Sequence, residues 1–149
     1  MIAGVMRKDA YRDFRVRLEL LLHIPTNASD QDIHELIEAG FLADSVTVLC
    51  DVGAIGPTER NQIIPLRTLK VRLAANQRLT VHQSDRVFRF AYITAMAMTL
   101  FGSEEKAKRW LSKPMDCFSG KAPFALLSTF HGTRLVEEML IQEAEGIAF

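Results

Sequence analysis

Apolar and polar positions divide the chain into short helical segments around one long apolar stretch. From Phe88 to Phe101 the sequence FRFAYITAMAMTLF carries one charge in fourteen residues. A segment apolar on every face belongs inside a packed core. It is too short and too interrupted to cross a bilayer, which needs about 20 apolar residues. Thr80-Val81-His82-Gln83 has the form of a capping box, so the helix should begin at Thr80. Gly102 stands where a left-handed cap would end it, and Ser103 offers the next N-cap, with Glu104 and Glu105 in the first turn. That second helix should run through Trp110-Leu111 and stop before Pro114.

Upstream the pattern is less regular. Phe14, Val16, Leu18, Leu20, Leu22 and Ile24 occupy alternate positions, and four of the five residues between them are polar. Strict alternation predicts a half-buried β-strand, which is the preferred reading. Phe14, Leu18, Leu21 and Leu22 also share a helical face, so a helix stays open. A strand here has no alternating partner later in the chain, and an unpaired apolar edge is normally covered. Pairing with a second copy would give a homodimer built on residues 1–24; another protein could serve instead. From Ser29 the period becomes helical. One helix should bury Ile33, Leu36 and Ile37 and stop at Gly40; the next, from Leu42 to Asp51, should bury Leu42, Val46 and Leu49. Gly53, Gly56 and Pro57 break the chain before a short turn from Thr58 to Ile63. Pro65 then opens a helix to Ala74 with Leu66, Leu69 and Leu73 on one face. Past Pro114 comes a loop with Gly120, a short helix from Pro123, a break at Gly132, and a last helix from Thr133 to about Glu145. On that helix Leu135, Val136, Met139 and Leu140 should face inward, and Gly146 should end it.

The strings RLTVHQSDRVFR, FGSEEKAKRWLSKP, LSTFHGTRLVEEML and EAEGIAF resemble the toxin-binding domain of Xre/MbcA/ParS-type antitoxins. The markers are Leu79, Ser84-Asp85-Arg86, Arg89, Phe101-Gly102, Lys106-Ala107, Trp110-Leu111, Gly120, Pro123, Gly132, Leu135-Val136-Glu137 and Gly146, in the family's order across roughly the last 70 residues. Ile64-Pro65-Leu66-Arg67-Thr68-Leu69 with Arg72 is similar to the recognition helix of the helix-turn-helix that these antitoxins carry in front of that domain. The segment before it, Gly56 to Gln62, departs from the family pattern and should form only a short or distorted helix.

The expected fold is therefore mainly all-α. A helix-turn-helix-like region (residues 25–78) packs on a helical toxin-binding domain (79–149), behind an N-terminal segment (1–24) that carries the candidate strand. No Pro/Gly/Ser-rich linker separates the last two regions, so they should form one body. The resemblance implies an antitoxin of a type II toxin–antitoxin pair. Its partner would be a RES-domain toxin that consumes NAD, its inhibition steric, its form a dimer, and its own operator DNA a further partner. A stand-alone dimeric helix-turn-helix regulator without a toxin is the alternative.

Composition refines this picture. The 149 residues carry no net charge, which argues against general polyanion binding, but the distribution is uneven. Seven acids and no Lys or Arg lie between Ser29 and Glu59; five bases and no acid lie between Arg60 and Ser84. Arg67, Thr68, Lys70 and Arg72 are the candidate DNA contacts. Glu143, Glu145, Gly146, Ile147, Ala148 and Phe149 are the candidate toxin contacts: an acidic approach, an apolar end with an aromatic anchor, and a terminal carboxylate suited to a cleft that binds pyrophosphate.

Catalytic signals are weak. Ser103-Glu104-Glu105-Lys106 matches S-x-x-K without its companion motifs. Cys117 and His131 would need the fold to bring them together, Glu137-Glu138 with Glu143 and Glu145 fits a solvated face, and Trp110 fits a core anchor. No enzyme activity is expected. Cys50 and Cys117 form no framework, and His23, His34, His82 and His131 lie far apart, so neither cofactor nor metal is expected. With no signal-peptide pattern at the N-terminus, the expected location is cytoplasmic, with no membrane partner.

Overall fold

A computed structural model of the chain describes residues 6–53 and 55–147. Within them lie eight α-helices: α1 (Lys8–Leu22), α2 (Asp30–Ala39), α3 (Asp44–Gly53), α4 (Pro57–Ile63), α5 (Leu66–Ala74), α6 (Val81–Phe101), α7 (Glu104–Leu111) and α8 (Phe130–Ile147). Two 3-10 turns, Asp116–Phe118 and Pro123–Leu126, join α7 to α8.

The axis of the fold is α6. Thr80 caps it with both arms of a capping box: its hydroxyl accepts from Gln83 N, and its own N–H donates to the Gln83 side chain at 3.0 Å. Gly102, at φ 66°, ends it in the left-handed conformation, as its position implies. Val87, Phe90, Ala91, Ile93, Thr94, Ala95, Met96 and Ala97 are all fully buried, because α1, α2, α3, α4, α7 and α8 each pack against this one helix. Phe14 of α1 meets Tyr92 edge-on, Phe124 stacks on Phe90, and Trp110 of α7 lies against Phe101. Helix α5 makes no comparably broad contact and buries only Leu69.

The N-terminal strand does not form; residues 8–22 are helix α1. Phe14, Leu18 and Leu22 are four residues apart, so they satisfy a period of two and a helical face equally. Their neighbours decide the matter. Leu21, outside the alternation, is buried; Val16 and Leu20, inside it, are 43% and 70% exposed. A helix puts Phe14, Leu18, Leu21 and Leu22 together against α6, which a strand could not do. Without a strand there is no unpaired edge, so nothing here calls for a two-stranded ribbon across a dimer.

Arg15 ties α1 to the start of α2. Its guanidinium is buried and donates to the carbonyls of Pro25 (3.0 Å) and Ala28 (2.9 Å) and to the Tyr11 hydroxyl (3.1 Å). A buried cation is tolerated here because carbonyl oxygens replace its water.

A second tie joins the two halves of the chain. Leu79 N donates to Phe41 O, Phe41 N donates to the buried Ser84 hydroxyl at 3.0 Å, and Leu42 and Arg78 form an isolated antiparallel bridge. Leu42, expected inside, is exposed, and Ile33, Leu36 and Ile37 are only half-buried; on the shared apolar face of α5, Leu66 and Leu73 are exposed because α5 lies at the rim of the body.

At the C-terminal end, Gly132 does not break the chain. It lies within the first turn of α8, which starts at Phe130, and Pro123–Leu126 forms a 3-10 turn before it. Gly146 does not stop α8 either; the helix includes it and runs to Ile147. A glycine in a final turn costs only about 1 kcal/mol of helix propensity, too little to end a helix anchored by its buried face.

Candidate functional site

Two surfaces correspond to the sequence-based candidates. The first is α4–α5. Pro57 opens α4 without a side-chain cap, and of its seven residues only Ile63 is buried. Two residues, Ile64 and Pro65, both extended, connect it to α5. A helix-turn-helix usually uses a turn of about three to four residues. The departure seen at Gly56 to Gln62 thus has a structural counterpart: a one-sided α4 and a tight corner.

Most bases of the acid-free stretch serve the fold. Arg60 donates to Ile64 O at 3.0 Å, Arg72 to Arg78 O at 2.8 Å, and Arg78 to Gly40 O at 2.8 Å. These guanidiniums cap orphan carbonyls at helix ends and in the α5–α6 loop. Arg67 and Lys70 remain exposed and enter no ion pair among the described residues. Thr68 and Arg72 are half-buried. Of the four DNA candidates, two therefore project fully, and Arg72 holds the loop behind them.

The second surface is α8 with the elements that seat it. Val136 and Leu140 are fully buried toward α6, whereas Leu135, expected inside, is 50% exposed. Glu143, Glu145 and Gly146 are exposed on the last turns. Ala148 and Phe149 lie outside the described residues, as does the side chain of Ile147.

The four carboxylates of α8 do not converge. Glu138 pairs with Arg134 at 3.7 Å, Glu137 is half-buried beside Tyr92, and no group of acids, histidines or cysteines suited to a metal occurs among the described residues. Burial pushes the Tyr92 phenol well above its usual range, and the neighbouring Glu137 charge adds to this. Ser103 caps α7, its hydroxyl accepting from Lys106 N at 3.3 Å, and Trp110 is a core residue. No helix among the described residues is long and apolar enough to cross a membrane.

Helix α8 thus lies on α6 and on the Pro123–Leu126 turn with its outer side open. Residues 96–146 match the family described as the antitoxin Xre/MbcA/ParS C-terminal toxin-binding domain. The match takes in the last six residues of α6 and ends one residue before the end of α8. Over 146 residues, 98% of this chain and 92% of the relative, the chain is 54% identical to antitoxin Xre of Pseudomonas putida. Over 114 residues, 74% of this chain and 77% of the relative, it is 30% identical to antitoxin Xre of Yersinia enterocolitica serotype O:8. The chain belongs to the Xre antitoxin family.

Proposed function

We propose that this antitoxin binds a RES-type, NAD-consuming toxin and blocks its catalytic cleft with the end of α8 and the residues after it. The observation that carries this is that the toxin-binding family match runs from the end of α6 to the end of α8, the helix that brings Glu143, Glu145 and Gly146 to an open surface. A cleft that binds the NAD pyrophosphate needs cationic side chains, and exposed carboxylates approaching it are attracted. Ile147, Ala148 and Phe149 then supply the apolar contact. In cells expressing the product of the gene beside this one, NAD should fall and growth should stop; co-expression of this chain should restore both. Unchanged NAD and growth with the neighbouring product alone would refute the pairing and favour a stand-alone regulator.

We further propose that the antitoxin represses its own operator, with Arg67 and Lys70 on phosphates, Thr68 beside them and Arg72 fixing the end of α5. Each phosphate contact releases counterions, so affinity should fall steeply with salt. In gel shifts on the promoter, Arg67→Ala/Lys70→Ala should weaken binding at least about tenfold and reduce the salt slope by about one for each cation removed. Equal affinity for wild type and variant, or no binding even at low salt, would exclude this role for α5.

A further inference from the structure

Gly132 explains where α8 begins. A Cβ at this position would overlap the carbonyl oxygen of Leu126, so only glycine lets the helix backbone pass this close to the preceding turn. Thr129 completes the seat. Its hydroxyl accepts from Gly132 N, and its carbonyl accepts from the Thr133 hydroxyl, both at 2.9 Å. The first turn of α8 is thereby pinned from two sides.

Phe130 stands in that pinned turn and is nevertheless 65% exposed. Its ring meets only the edge of its neighbour His131 among aromatic groups and takes no part in the hydrophobic core. Among the described residues, Phe130 and Leu135 are the only large apolar side chains left exposed between residues 96 and 146. At about 100° per residue, Phe130, Arg134, Glu138, His131 and Leu135 fall in that order within one arc of about 140°. All five are exposed, and Glu145 continues the same face toward the C-terminus. Arg134 and Glu138 pair with each other between the two apolar residues, so the face bears no unbalanced charge at its centre.

The geometry points to the Phe130–Leu135 face of α8 as a second anchor for the toxin, separate from the C-terminal end. The inference rests on the antitoxin reading above. Continuity argues for the toxin as occupant: the face lies inside the toxin-binding match and on the helix that carries the inhibitory end. A rise of about 1.5 Å per residue places Phe130 roughly 25 Å from Ile147, so the two contacts are distinct. The backbone that carries the ring is already held in place, so binding has less to order, and aromatic anchors carry a large share of interface energy. The partner feature that fits is an apolar pocket for a phenyl ring beside the toxin's cleft.

The test uses the full chain and the product of the neighbouring gene, with affinity measured by titration calorimetry. Phe130→Ser should weaken the complex at least about 30-fold, a typical effect for a central anchor, and Leu135→Ser less. Phe130→Leu should retain most of the affinity, and all three variants should melt within about 2 °C of wild type, as exposed positions do. Unchanged affinity in a Phe130→Ser/Leu135→Ser protein overturns the anchor, as does a lowered melting temperature, which would make Phe130 structural. A lower mass for Phe130→Ser in light scattering would give the face to a second copy and also overturn it. If wild type forms no complex, the antitoxin pairing itself fails. If wild type binds while the Phe130 variants bind equally well, this inference alone fails.

Discussion

Phe90→Ala should lower the stability of the whole chain by roughly 3–5 kcal/mol, the cost of emptying a filled aromatic site. Phe90 is fully buried in the middle of α6, stacked on Phe124. Domains of this size are stable by only about 5–15 kcal/mol in total, so the variant should be close to its limit. Its melting midpoint should fall by at least about 10 °C. Because α6 is the shared core of both halves, they should unfold together. The single tryptophan, Trp110, reports on the C-terminal half by fluorescence, while far-UV circular dichroism follows all the helices. The two curves should coincide in wild type and shift together in the variant. Two separated transitions, or a loss below about 1 kcal/mol, would contradict a common core on α6.

The parts of this architecture legible in the sequence are those fixed by local chemistry. Thr80 and Gln83 specify the start of α6 by closing a reciprocal pair of hydrogen bonds three residues apart, and the Gly102-Ser103 step specifies the junction with α7. Ser29 and Asp32 do the same for α2. What stayed hidden depends on partners distant in the chain. Phe14, Leu18 and Leu22 fit two periods, and only the apolar side of α6 selects the helix. Gly132 reads as a break, yet it is a close approach to Leu126, 6 positions back in sequence.

The candidate surfaces follow the same division. The toxin-binding region was legible because many markers recur in order. The basic stretch was legible only as charge: nothing local tells that Arg60, Arg72 and Arg78 turn toward backbone carbonyls while Arg67 and Lys70 project. Phe130 was missed altogether. An aromatic residue just before a glycine break looks like the end of a buried segment, and its exposure depends on how closely Gly132 lets α8 approach.

Removing residues 147–149 should abolish protection against the toxin while leaving the fold unchanged. The buried face of α8 rests on Val136 and Leu140, and Glu143, Glu145 and Gly146 already extend beyond it into exposed positions. Truncation therefore takes nothing from the core contacts described, and the melting temperature should stay within about 2 °C. At the toxin the loss should be large, because an aromatic anchor and its apolar neighbours commonly carry more than about 2 kcal/mol of binding energy, some 30-fold in affinity. The decisive measurement is cellular NAD and growth in cells expressing the neighbouring gene product with either the full chain or the chain lacking residues 147–149, at matched protein levels. The account predicts that the full chain preserves NAD and growth, while the truncated chain, equally stable and abundant, preserves neither. A truncated chain that protects as well as the full one would contradict it.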